Sequence, residues 1–369
     1  MTLAATIEIR GWCPGALRPM ASGDGLIARV KPWCSALTLD QASGLADIAG
    51  RLGNGHMDIT RRANLQIRGL RELRLTELHR ALGRLDLLDP DAETEAARNV
   101  MVGPLAGAEG RALASALTGA LTADRRLAGR LPAKFGWLVD AAGPLSIVGE
   151  RADAALCLLP AGVALRVDGQ WRGIARRDEA VSVALAMVQA HLEGREFPAP
   201  ARMDIVPTPG RRRLGAVAAE AFGVAAPFGR LEASQLHGLV ALAAKAGASA
   251  LRLSPWRAVY VDAVIEGAGE LGLIEDDEHP LLRVDACPGK PACSSASVDT
   301  RRDAQRLLAM GFDGSVHISG CAKGCARSAA ADVVLVGNNG RYGVIRNGTT
   351  RDLPQRTIDP DDLLAALHG

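Results

Sequence analysis

Leu37-Thr-Leu-Asp-Gln-Ala-Ser-Gly-Leu-Ala-Asp-Ile-Ala-Gly50, continued by Met57-Asp-Ile-Thr-Arg-Arg-Ala-Asn-Leu-Gln-Ile-Arg68, decides the fold. Its first part has apolar residues at helical spacing and its second part alternates, so it reads as a helix followed by a strand. Thr38 and Gln41 fit a capping box at the helix start. The same order returns in Leu231-Glu-Ala-Ser-Gln-Leu-His-Gly-Leu-Val-Ala-Leu-Ala-Ala244, followed by Leu251-Arg-Leu-Ser-Pro-Trp-Arg-Ala-Val-Tyr-Val261. One ungapped offset places Leu37 on Leu231, Gly44 on Gly238, Ile59 on Leu253 and Ile67 on Val261, with Thr60 facing Ser254. Two Ala/Leu-rich helices can match by chance, but strands matched at the same offset favour a duplicated α+β unit.

The stretches around the repeats read more simply. Residues 71–88 have helical spacing, and 135–167 alternate around turn signals, as antiparallel strands do. A helix is expected over 180–193, and Pro-rich linkers over 196–201 and 207–210. Beyond the second repeat the pattern predicts a helix over 301–310 and strands near Val316 and over 333–336. Gly337-Asn-Asn-Gly340 signals a hairpin turn rather than a phosphate loop. A closing helix has Asp359 as N-cap and Pro360 as first residue.

Composition excludes several classes. The chain has 369 residues, long enough for more than one domain. It is 48% hydrophobic and 23% charged, which argues against disorder. Lys plus Arg number 43 against 41 for Asp plus Glu, a balance that disfavours nucleic acid as main partner. No apolar run is long enough to span a bilayer, and the first ten residues lack a signal-peptide layout. A cytoplasmic location is the expectation, and there thiols stay reduced.

Seven cysteines are too few and too uneven for a disulfide scaffold, and four of them crowd into the last quarter. Cys287-Pro-Gly-Lys-Pro-Ala-Cys293 and Cys321-Ala-Lys-Gly-Cys325 pair thiols around small residues that let backbone approach inorganic sulfide. An iron–sulfur cluster is favoured. A structural zinc ion stays open as the alternative, although the Cys-x5-Cys loop is longer than zinc sites usually use. Cys13, Cys34 and Cys157 read as packed small thiols, and His317, four residues before Cys321, as a structural strand histidine, with cluster tuning or iron binding as its alternative role.

Together, the Cys-x5-Cys and Gly-Cys-x3-Cys pairs, the duplicated units and Thr60-Arg-Arg-Ala-Asn-Leu-Gln-Ile-Arg-Gly69 resemble the sulfite/nitrite reductase superfamily of hemoproteins. Arg10-Gly-Trp-Cys-Pro-Gly-Ala-Leu-Arg-Pro-Met-Ala-Ser-Gly-Asp-Gly-Leu26 is similar to the precorrin-3B synthases within it. The resemblance covers nearly the whole chain. It implies an α+β fold of two ferredoxin-like half-domains, paired by a pseudo-twofold repeat, plus two α/β reductase-type domains. The implied boundaries are 1–70, 71–200, 201–270 and 271–369, the last carrying a 4Fe–4S cluster on Cys287, Cys293, Cys321 and Cys325. In the superfamily the position of Cys325 also bridges to siroheme iron.

The implied activity is an O2-dependent monooxygenase that hydroxylates precorrin-3A at C20 with γ-lactone formation, in cobalamin biosynthesis. The tetrapyrrole is then substrate, and precorrin-3A takes the place siroheme has in relatives. Electrons would pass from the cluster to the tetrapyrrole or to a non-heme iron. No Gly-x-Gly-x-x-Gly follows a strand, so the donor is external, either NAD(P)H through a reductase or a ferredoxin. By resemblance the catalytic candidates are Lys134 and Arg98, and the tetrapyrrole contacts Arg29, Lys31, Arg62, Asn64, Gln66 and Arg68. Arginine forks suit a polycarboxylate macrocycle. Alternation places Arg62, Asn64, Gln66 and Arg68 on one strand face and Leu65 and Ile67 on the other. Reductases of the superfamily carry Lys-x-Lys where this chain has Lys134-Phe135-Gly136. The missing cation weakens the alternative, a siroheme-dependent sulfite or nitrite reductase, and suits a neutral co-substrate. Arg211-Arg-Arg-Leu214 reads as a solvated loop.

Overall fold

The computed structural model describes residues 14–132, 134–197, 200–218 and 221–363, grouped into two bodies. The larger holds residues 14–20 and 27–275, and the smaller 21–26 and 276–363. Cys13 and everything after residue 363 lie outside the described residues. No helix among the described residues is long and apolar enough to cross a membrane.

The repeat governs the larger body. Strand β3 (Ala36–Thr38) leads into α1 (Leu39–Leu52), β4 (His56–Ile59) and β5 (Leu65–Leu70). Its counterpart runs through β13 (Arg230–Glu232), α7 (Ala233–Lys245), β14 (Ala250–Leu253) and β15 (Ala258–Val261). Thr38 and Gln41 form the expected capping box, each backbone N–H donating to the other's side-chain oxygen at 3.1 Å. Glu232 and Gln235 repeat it. Gln41 donates on to Leu85 O and Gln235 to Leu271 O, both at 2.9 Å. Gly44 and Gly238 admit those same leucines, which a Cβ would meet at 2.7 and 2.6 Å. The two helices pack on each other, with Ser43 Oγ 3.5 Å from His237 Nδ1.

Each half lends a strand to the other. The first sheet runs β1 (Met20–Ser22), β2 (Gly25–Val30), β5, β4, β13, so its last strand belongs to the second repeat. The second sheet runs β11 (Gly215–Ala218), β12 (Ala221–Ala225), β15, β14, β3, and its last strand belongs to the first repeat. Leu231 pairs with Met57, and Leu251 with Leu37. Half-domains drawn as continuous blocks of sequence therefore interleave.

The third sheet is ordered β10 (Gln170–Ala175), β9 (Gly162–Val167), β8 (Ala154–Leu159), β7 (Trp137–Ala141), β6 (Val100–Val102). Here β7 and β8 are parallel, with Trp137 beside Ala154, where alternation alone predicts antiparallel pairing. The connection over 142–153 makes the crossover, and the buried Asp140 carboxylate holds it by accepting from Ser146 Oγ and Ile147 N at 2.7 Å. Burial pushes Asp140 up to about 6 against those hydrogen bonds. Trp137, Leu156 and Leu165 pack with Leu117 of α4 (Gly107–Ala123) and Val188 of α6 (Ala180–Leu192). Before this sheet the chain forms α2 (Leu75–Arg84) and α3 (Ala92–Ala97), and α5 (Arg125–Arg130) follows α4.

The smaller body repeats that strand plan. Its sheet runs β16 (Val284–Ala286), β17 (Val316–Ser319), β18 (Ala331–Asn338), β19 (Arg341–Gly348), β20 (Arg356–Ile358). The first three strands are parallel and the last two antiparallel, and α8 (Thr300–Ala309) makes the first crossover. Asn339 and Gly340 turn the β18–β19 hairpin at φ 50° and 79°, the left-handed pair a tight hairpin needs. Pro360 opens the closing turn as expected, but the Asp359 carboxylate pairs with Arg341 at 2.9 Å instead of capping.

Candidate functional site

Parallel pairing brings the cysteine segments together. β16 and β17 are neighbours with Ala286 beside Ile318, so Cys287 and Gly320 leave the sheet side by side at the strands' carboxyl ends. Cys287 N donates to Ile318 O at 3.2 Å, and Gly320 N donates to Cys287 Sγ at 3.1 Å. A backbone N–H aimed at a thiolate sulfur is what a cluster ligand requires. The first loop folds back, with Cys293 N donating to Gly289 O at 2.8 Å, and Thr300 Oγ1 donating to Cys287 O at 2.6 Å. In the second, Ser319 Oγ donates to Cys321 O at 2.7 Å, and Gly324 turns at φ 63° against Thr350. Desolvation, with neighbouring thiols adding to it, raises Cys321 and Cys325 above the ordinary thiol value. Among the described residues no three His, Cys, Asp or Glu side chains gather as a single-ion site.

Three residues with no metal chemistry complete this cradle. Ser22 Oγ donates to Ala292 O at 2.6 Å, and a Cβ on Gly23 would meet the Cys293 backbone at 3.1 Å. A Cβ on Gly337 would lie 2.7 Å from Gly320 O and 2.5 Å from Val298 Cγ2. Gly337→Ala is therefore expected to cost roughly 1–3 kcal/mol, as overpacking does, and to lower iron per chain by displacing Gly320. Iron content measured beside the melting temperature checks this; unchanged iron would mean the contact is slack.

In the larger body the polar candidates fall into two groups. Arg29, half-buried on β2, has its Nε buried without a partner among the described residues, and so does Asn64 Nδ2. Gln66 is half-buried on β5 opposite Asp58. Arg62 and Asn64 lie in the turn between β4 and β5, not on the strand that alternation assigns them. Thr60 Oγ1 accepts from both their backbone N–H groups at 3.2 Å, and Ala63 takes a left-handed φ of 51°. Arg62 donates to Lys134 O at 3.3 Å, and the Lys134 side chain is exposed.

The remaining candidates are tied up inside the protein. Arg68 pairs with Asp58 at 3.2 Å, and Arg230 meets the same carboxylate at 2.9 Å. Arg98 is 4% exposed and grips Asp89 with two hydrogen bonds of 2.7 and 2.8 Å. It also donates to Lys31 O at 2.8 Å and lies 4.4 Å over the Trp33 ring. That geometry supports a fixed buried cation rather than a catalytic group. The Lys31 ammonium donates to Glu95 O at the end of α3, and burial lowers its pKa to about 8. The Glu95 carboxylate in turn accepts from Ala16 and Leu17 N–H, so these hydrogen bonds anchor the chain at residues 16–17.

Residues 18–85 match the nitrite/sulfite reductase ferredoxin-like half domain. The chain is 32% identical to a precorrin-3B synthase of Sinorhizobium sp. over 97% of its own length and 87% of that protein. It belongs to the precorrin-3B synthase family. Within the sulfite/nitrite reductase superfamily it is also 28% identical to a ferredoxin sulfite reductase of Mycobacterium tuberculosis, over 32% of this chain and 25% of that protein. The structure of the Mycobacterium tuberculosis NirA protein superposes with a TM-score of 0.67 at 19% identity, covering 92% of this chain and 78% of that one. It shares the α+β fold.

As a member of the precorrin-3B synthase family, the chain is an oxidoreductase. Its residues fit the groups the superfamily implies. The Cys287 thiol of the smaller body meets a backbone N–H, and in the larger body Arg29 Nε on β2 and Asn64 Nδ2 in the turn are buried without a partner among the described residues. Sequence reasoning missed Ser22, Gly23, Gly337 and Thr300, because nothing in those residue types marks them as supports of the cysteine loops.

Proposed function

We propose that this precorrin-3B synthase family member hydroxylates precorrin-3A at C20 with O2 and closes a γ-lactone on the ring A acetate, in aerobic cobalamin biosynthesis. The observation carrying this reading is the 32% identity to a precorrin-3B synthase over 97% of the chain. A 4Fe–4S cluster held by Cys287, Cys293, Cys321 and Cys325 would supply single electrons. Gly320 N–H, pointing at Cys287 Sγ, stabilises the negative thiolate there. Arg29, Arg62, Asn64 and Gln66 offer donors to the carboxylates of the macrocycle and fix its orientation. Asp58 keeps Arg68 and Arg230 in place beneath them. Lys134, whose side chain is exposed and whose carbonyl accepts from Arg62, adds a further cation. An external donor, NAD(P)H through a reductase or a ferredoxin, delivers electrons, in the cytoplasm where thiols stay reduced before cluster insertion.

Anaerobically purified protein given precorrin-3A, a donor and isotopically labelled O2 is expected to yield a product that carries label from O2. Unlabelled product would overturn the reading. The similarity to sulfite reductases sustains one competitor. A bound isobacteriochlorin absorption band with consumption of sulfite or nitrite would install that activity instead.

A further inference from the structure

Helix α8 brings a buried acid close to the first cysteine. Its first residue, Thr300, donates from Oγ1 to Cys287 O at 2.6 Å, and that hydroxyl lies 3.9 Å from Cys287 Sγ. Asp303 follows on the same buried face of the helix, about 4.5 Å further along its axis. Thr300 and Asp303 are both fully buried. The Tyr342 hydroxyl, buried on β19, donates to Asp303 Oδ2 at 2.9 Å. Arg306 Nη1 donates to Oδ1 at 3.3 Å and Arg302 Nε at 3.4 Å. Burial, and then Asp303, raises the Tyr342 hydroxyl above its usual pKa, and Cys287 adds to the rise. Acid, phenol and thiol therefore share one electrostatic neighbourhood.

Stability alone is a poor reason to keep such an acid. Desolvating a buried ion pair offsets most of its attraction, and well-packed apolar groups often serve as well. What they cannot supply is a fixed negative charge near Cys287. In the interior that charge is screened far less than it would be in water.

From this we infer that Asp303 sets how readily a cluster on the four cysteines accepts an electron, with Arg306 trimming its effect from the solvent side. A negative charge near Cys287 opposes the arrival of a second one, so Asp303 keeps the potential low. The inference rests on the reading of the four thiols as cluster ligands, and its test separates the two.

Protein purified anaerobically is assayed for iron and sulfide, then titrated with redox mediators and followed by EPR. Asp303→Asn keeps the size and an acceptor for Tyr342, so iron per chain stays unchanged. At a fixed potential its ratio of reduced to oxidised cluster rises roughly tenfold, about 59 mV for a one-electron couple. Arg306→Gln, at a partly exposed position, moves the potential the opposite way by uncovering the acid. Asp313→Asn removes an exposed carboxylate paired with Arg283 and leaves the potential unmoved, because solvent screens it.

Opposite shifts at full iron sustain the inference, and any other pattern overturns it. Shifts of one sign in both variants would mark a loosened fold, which is what a merely structural Asp303 predicts. Should Asp303→Asn lose iron, Arg306→Gln decides alone: a lower potential at full iron sustains the inference, and an unmoved one overturns it. Absence of iron and sulfide from the unmodified protein overturns the cluster reading and the inference with it, an outcome distinct from a loaded cluster indifferent to Asp303.

Discussion

Cys287→Ser is expected to remove iron and acid-labile sulfide from the purified protein and to abolish turnover. Cys287 is buried, starts the loop that leaves β16, and receives the Gly320 N–H on its sulfur at 3.1 Å. Serine keeps the size but offers a hydroxyl that stays protonated, where a soft thiolate must meet iron. The activity loss should exceed the roughly 10–100-fold that changes around a metal ligand cost. Stability falls too, because ligand binding that requires the folded arrangement adds to folding free energy. Cys34→Ser and Cys157→Ser are the controls. Cys157 lies in β8 with its thiol pushed up to about 12 by burial, and Cys34 neighbours Arg111 O and Ser115 Oγ. Both controls should retain iron. Full iron and sulfide in Cys287→Ser would show that the four thiols are not the ligand set.

What the sequence discloses, and what it hides, follows from the range of the interactions. The duplicated helix and strand are legible because caps and periodicity are local: Thr38 with Gln41, and the offset of Gly44 onto Gly238. The exchange of β3 and β13 is not, since each has three residues and its partner lies far along the chain. Helix α4 lacks a polar stripe to betray it, being rich in Ala, Gly and Leu. The two cysteine pairs announce themselves by residue type, yet only adjacent parallel strands explain why they meet. The cations mislead in a specific way. Residue type marks Arg62 and Arg98 alike, but Arg98 is buried against Asp89, while Arg62 leaves the strand in a turn whose left-handed Ala63 no pattern foretells. Gly136 reads in sequence as a lost lysine. In the structure that space belongs to the Arg62 guanidinium.

Arg98 carries the second large effect, and its direction separates a structural cation from a catalytic one. Arg98 and Asp89 are each 4% exposed at the side chain, so removing one leaves the other charged, buried and alone. Breaking such a pair costs about 3–5 kcal/mol, most of it the stranded charge rather than the lost attraction. Arg98→Met should therefore lower the melting temperature of the larger body by roughly 10 °C. Asp89→Asn should do likewise by stranding the guanidinium, while Arg98→Met also gives up the contacts with Lys31 O and Trp33. Combining the two removes both charges, and the double variant should lose less than the sum of the singles, the mark of direct coupling. Precorrin-3A affinity, measured well below the lowered melting temperature, should stay within a few-fold, since the Arg98 guanidinium already has its partners. Were Arg98→Met to fold at full stability and lose turnover alone, Arg98 would belong to the chemistry, and the ion pair with Asp89 would be incidental.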